Sequence, residues 1–290
     1  MFNEDQKTKY LETLKRNRKS VLKNVFEKSA DHEAKENSDI CNMSTEKAIE
    51  ALSYSCGVSL GSVDAALPLF RGYVRWCSES GISVNMELVD IKDRDIDISV
   101  VIKEEMFSSP SGLGETLDKC FNGVEGSDDC LHRTYFWLAY SGFDKDDIFN
   151  VKVSDVDFKK NVINFGGKSY KIYPKSISDI KNACFLESFS FWSTMGYPYS
   201  KPRVGKEYVF RTIKSEKTNP VTFRQGINRK LKKSGFSITY ADVYTSGLFY
   251  RKLVEEKEGG YDYFEGYPSL QRRNLLWSYE MWKKAFDLNV

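Results

Sequence analysis

Residues 201–233 hold eleven basic residues and two acidic ones, a local net charge of +9 in a chain whose total is +2. Lysine and arginine clustered in this way suit a nucleic-acid backbone, because each cation set on a phosphate releases a condensed counterion. The candidates for phosphate contact in this block are Arg203, Lys206, Arg211, Lys214, Arg224, Arg229, Lys230, Lys232 and Lys233. Arg16, Arg18, Lys19 and Lys23 form a basic face near the N-terminus, and Arg71 and Arg75, four residues apart, share a helical face. Arg272 and Arg273 open the last helical stretch, where they can hold a phosphate. Metal chemistry has no comparable support. The two histidines, His32 and His132, and the six cysteines, Cys41, Cys56, Cys77, Cys120, Cys130 and Cys184, form no C-x-x-C pair and no zinc-ligand spacing. Neither a metal nor another cofactor is expected, and the cysteines read as thiols of a reducing compartment.

These side chains must be positioned by a chain of 290 residues, enough for one large or two smaller domains. Aromatics at 14% and charged residues at 29% mark it as globular. The first twenty residues are charged and carry no signal-type apolar run, and no stretch approaches the roughly 20 apolar residues of a membrane span. A cytoplasmic protein with no membrane partner is expected.

Residues 5–28 are predicted helical, 29–44 a polar loop, and 45–54 a helix opened by the capping residues at Ser44 and Thr45. Leu67, Phe70, Tyr73, Val74 and Cys77 recur at helical spacing, with Gly81 as a stop. Residues 83–105 are charged and lack a clear period. "SSPSGLGE", 108–115, reads as a linker between a helical domain over 1–107 and a second domain over 116–290. Helices are predicted at 114–122 and 128–141, the latter apolar nearly all round and therefore buried, and a short one at 145–150. "VSDVDFKKNVINFGGKSYKIYP" then changes to a strand period, with turns at 159–161 and 166–168. Helices follow near 176–195, 219–234, 239–257 and 268–286, and the acidic stretch 255–266 reads as a solvent loop. Leu275, Tyr279 and Trp282 form one stripe of the last helix, a docking face. The fold class is mainly α with a small antiparallel sheet, in two domains.

Three segments, in this order, carry a resemblance to the tyrosine recombinases, the phage integrases. "YSGFDKDDIFNVKVSDVDF" (140–158) resembles the family's glycine-hydrophobe-arginine turn and the strand after it. "GGKSYKIYP" resembles the hairpin that carries the catalytic lysine, and "GYPS" (266–269) the glycine-histidine signature before the tyrosine nucleophile. The resemblance implies a helical core-binding domain and a catalytic-type domain that clamp duplex DNA. It also implies a transesterification in which arginines and histidines stabilise the charged phosphorane.

Position by position, the implied catalytic set is degenerate. The first arginine falls on Asp144, the histidine-x-x-arginine pair on Tyr240 and Val243, the third-motif histidine on Tyr267 and the nucleophile on Leu276. Lys168 alone matches, and it is also a candidate for DNA contact. An anion at Asp144 repels the phosphate the family's arginine would hold. The layout is similar to the integrase-fold lysogeny repressors of SPβ-like Bacillus phages. The expectation is a sequence-specific double-stranded DNA-binding repressor that maintains lysogeny, is not an enzyme, and sits at the nucleoid of a bacterial host. Further expected partners are a second copy, through the C-terminal helix, and an antirepressor or signalling protein. The alternative is a divergent active recombinase with Tyr279 as its nucleophile.

Overall fold

The structure, a computed structural model, describes residues 2–121, 127–192, 197–260 and 263–288. In chain order its helices are α1 (Glu4–Glu12), α2 (Arg16–Lys28), α3 (Ala30–Glu36), α4 (Thr45–Ser55), α5 (Leu60–Glu79), α6 (Ser99–Glu105), α7 (Pro110–Cys120) and α8 (Asp129–Ser141). Strands β1 (Val156–Asp157), β2 (Val162–Phe165) and β3 (Lys168–Lys171) follow, then α9 (Ile177–Phe185), β4 (Ser188–Trp192) and β5 (Pro198–Pro202). Helices α10 (Pro220–Ser234), α11 (Tyr240–Lys257) and α12 (Ser269–Ala285) complete the order. The class is mainly α with small antiparallel sheets, one of order β1-β2-β3 and one of β4-β5. The chain divides into two compact units, Met1–Glu105 with Asp262–Val290, and Met106–Tyr261.

In the first unit, Ser44 and Ser59 cap α4 and α5 by accepting from Lys47 N and Ser62 N. The polar stretch 29–44, expected as a loop, instead contains α3 and a turn of 3-10 helix at Ile40–Asn42. Its carboxylates explain the difference. Lys7 of α1 is fully buried, is ion-paired with Glu33, and lies 3.7 Å from Asp39. Polar residues thus fold here because they satisfy a buried ammonium, which pattern alone does not reveal. The helix expected over 5–28 is broken between α1 and α2.

Helix α12 also belongs to this first unit, although the sequence grouped 116–290 together. Its Tyr279 and Trp282 are fully buried. Ser278 accepts from Leu60 N at 3.2 Å, and Lys284 meets Asp97 at 2.5 Å. Of the stripe on which an oligomer contact was expected, Tyr279 and Trp282 are therefore covered within the chain, and Leu275 is half-buried.

In the second unit, the expected linker 108–115 is instead the cap and first turns of α7. Ser109 accepts from Gly112 N, and Pro110 fills the first helical position, where its missing N–H costs nothing. The helix expected over 176–195 ends at Phe185 and gives way to the β4–β5 ribbon. Residues 122, 193–195 and 261–262 of the expected helices and acidic loop lie outside the described residues. Buried α8 is the centre of the unit, and α11 crosses it closely. A Cβ added to Gly247 would stand 1.9 Å from the Tyr140 carbonyl oxygen, so only glycine fits. Gly247→Ala is expected to destabilise the protein by about 3 kcal/mol, read as a lower urea midpoint, because backbone must move to admit the methyl.

Candidate nucleic-acid interface

Helix α8 ends at Gly142, whose φ of 101° lies in the left-handed region glycine favours. That turn buries Phe143 completely, stacked on Tyr170 at 3.8 Å between ring centroids and 5.8 Å from Phe165. The turn is thereby fixed on the β2–β3 hairpin, and Ser141 adds a hydrogen bond to the Lys171 carbonyl at 2.8 Å. Asp144, next along, is exposed. Gly166 and Gly167 both have positive φ and form the two-residue loop that leads into Lys168, which is exposed at the start of β3.

Tyr240, at the start of α11, donates its hydroxyl to the Phe143 carbonyl at 2.5 Å. Burial, with Tyr244 and Asp144 nearby, pushes its hydroxyl above the usual tyrosine range, so it stays neutral and donating. Val243, one turn on, is fully buried. Asp144, Lys168, Tyr240 and Val243, far apart in sequence, thus belong to one packed region. The other three positions lie in the first unit. Tyr267 and Leu276 are half-buried, and Tyr279 is fully buried, stacked on Trp282 at 5.9 Å with Lys283 Nζ 4.9 Å from its ring.

Sequence reasoning missed Arg251. It donates to the Tyr140 carbonyl and lies against Gly142. The signal that could have found it is the four-residue spacing of Val243, Gly247 and Arg251, one face of α11.

The basic residues divide into two groups. Arg203 and Arg211 are only 8% and 4% exposed, which corrects their expected role in phosphate contact. Arg203 donates to the carbonyls of Leu186 and Val209, each at 3.0 Å, and Arg211 to that of Cys184 at 2.8 Å. Two guanidiniums thus neutralise the negative C-terminal end of α9. Burial and the neighbouring Arg211 bring Arg203 down to about 10.

Arg71 is half-buried and donates to the Ile91 carbonyl from both Nε and Nη2. Lys230 meets Asp128 at 3.0 Å and Asp129 at 2.5 Å. These acids and His132 stand close enough together to ligate a cation, and the Lys230 ammonium is the cation they hold. Arg224 is tied to Asp146 at 2.8 Å, Arg273 approaches Asp64 at 3.5 Å, and Arg272 is half-buried.

Exposed cations remain at Arg229, Lys232 and Lys233 on α10, at Lys206 and Lys214, at Arg75, and at Arg16, Arg18, Lys19 and Lys23 on α2. Lys206 lies 3.3 Å from Glu187, and Lys23 lies 3.5 Å from Glu27. Gln225 and Asn228, which the sequence reading did not single out, are exposed on α10 beside Arg229. All six cysteines are buried free thiols. Among the described residues no helix is long and apolar enough to cross a membrane.

Residues 1–79 match a family model described as "MrpR, N-terminal core-binding domain". Among solved structures the chain is similar to "Crystal structure of XerA recombinase", with a TM-score of 0.41 and 12% identity over 98% of this chain and 95% of that one. A likeness this distant carries no argument about function. No curated protein matches the chain.

The buried charges have measurable consequences. Arg211→Ala is expected to lower stability by about 2–3 kcal/mol in urea unfolding, since it strands helix carbonyls. Burial alone would raise the Asp129 carboxyl, but hydrogen bonds from His132 and Lys230 outweigh it and hold it at about 2. The unfolded value is about 3.9, so this tie contributes fully above about pH 4 and is lost as pH falls toward 2. Unfolding measured against pH should show Asp129→Asn losing about 2 kcal/mol less than the parent protein on acidification.

Proposed function

We propose that this protein is a non-catalytic, sequence-specific double-stranded DNA-binding protein. It uses a recombinase-like frame as a transcriptional repressor of the kind that maintains phage lysogeny. The observation that carries the reading is the Tyr240–Phe143 hydrogen bond beside an exposed Asp144. The turn, hairpin and helix start that the recombinase resemblance assigns to phosphate chemistry are packed together. The side chains at those positions are a carboxylate, a neutral tyrosine bonded to backbone, and a buried valine. A phosphorane needs preorganised cations at these places, and loss of one such donor costs about 10²–10³ in rate.

The match of residues 1–79 to a core-binding domain supports DNA as the partner. So does α10, where Gln225, Asn228 and Arg229 are exposed next to Lys232 and Lys233. Amide side chains suit adenine edges, arginine suits guanine, and lysines suit the backbone. The alternative nucleophile Tyr279 is fully buried in the first unit, and its hydroxyl reaches no DNA while α12 stays packed.

The test is charge reversal. Arg229→Glu, Lys232→Glu and Lys233→Glu together should weaken duplex binding at least tenfold. They should also flatten the dependence of log affinity on log salt by about one for each phosphate that is no longer neutralised. Urea stability should be unchanged. Unaltered affinity and salt slope would remove α10 from the interface. Tyr279→Phe should leave DNA affinity intact, and loss of function with intact fold and affinity would overturn the non-catalytic reading.

A further inference from the structure

The second unit contains a cleft of about 380 Å³ between α8, α10 and the start of α11. We propose that this cleft binds a single nucleotide unit, one base-sized ring and one phosphate. Its volume lies in the range of small-ligand sites. Half-buried Tyr240 lines it above the nearly buried Ile238 and Tyr135, and is the ring on which a planar group can stack. Lys145, Gln225 and Asn228 stand on the same lining.

The chemistry of these groups is distributed as a nucleotide requires. Arg224, the other cation of the lining, is held by Asp146 at 2.8 Å. Lys145 is exposed, and its Nζ lies 6.0 Å from the Tyr240 ring centroid, so its ammonium is placed for an anion beside a stacked ring. The Gln225 and Asn228 amides offer paired donors and acceptors, the pattern that reads a base edge. A bare phosphate would leave the Tyr240 ring uncovered, and an uncharged ring would not engage Lys145.

This proposal does not rest on the repressor reading. A free mononucleotide and a nucleotide displayed by single-stranded DNA share the chemistry. The test is calorimetric titration of the full chain with the four deoxynucleoside monophosphates and with a short oligothymidylate. The four deoxynucleosides and inorganic phosphate serve as the separate halves. At least one nucleotide form is expected to bind about tenfold tighter than either half. Lys145→Glu and Asn228→Ala should each weaken it about tenfold, with an unchanged urea midpoint confirming the fold. Tight binding of the monophosphates identifies a free ligand, tight binding of the oligomer alone identifies a DNA end, and either supports the site. No binding up to millimolar concentration, binding equal to that of phosphate alone, or indifference to both variants would overturn it. Duplex retention is measured separately; because Asn228 also serves the duplex reading, Lys145→Glu is the variant that separates the two.

Discussion

The second unit depends on one close approach, α11 lying on α8 at Gly247, where a single methyl would collide with the Tyr140 carbonyl. That contact sets the register between the two helices. Val243 is then buried one turn before Gly247, Arg251 reaches the end of α8 one turn after it, and Tyr240 stands where its hydroxyl meets the Phe143 carbonyl. The turn at Gly142 is held from one side by α11 and from the other by the stacked Phe143 and Tyr170. The candidate site is therefore a consequence of a packing constraint, and its side chains are free to differ in chemistry while the backbone frame persists.

Charge follows a similar division of labour. The basic block 201–233 looks uniform as a string, yet Arg203 and Arg211 are consumed in capping α9, and Lys230 is held by Asp128 and Asp129. Burying a guanidinium is tolerated where helix carbonyls accept from it. What is left exposed among the candidates in this block is a narrower set, Lys206 and Lys214 and, on α10, Arg229, Lys232 and Lys233 beside the Gln225 and Asn228 amides. This separation lets one short segment both close the C-terminal end of α9 and present exposed cations.

Much of the architecture was legible because it obeys local rules. The apolar run of α8, the cap at Ser44 and the Gly166–Gly167 turn each follow from backbone chemistry over a few residues. The failures share a cause, which is that distant partners overrode local composition. The Pro110 segment looked like a linker because Ser, Pro and Gly also serve as a helix cap. Residues 30–36 looked like a loop because Lys7, far away in sequence, was not visible as the partner of Glu33. The ribbon at 188–192 was readable in the alternation of SFSF but was absorbed into a longer helical guess. Motif order pointed to Asp144, Lys168, Tyr240 and Val243, which the fold brings into one region, whereas burial of Arg203 and Tyr279 and the contact made by Arg251 required the fold.

The central claim, that this chain holds DNA without cutting it, is tested most directly by one binding measurement. Purified protein is bound to fragments tiled across the genome that encodes it, at two salt concentrations, and each sample is also run denatured. The account predicts tight retention of a few fragments, weakened by salt and abolished by denaturation. A protein–DNA band that survives denaturation would mean a covalent tyrosyl bond and would contradict it.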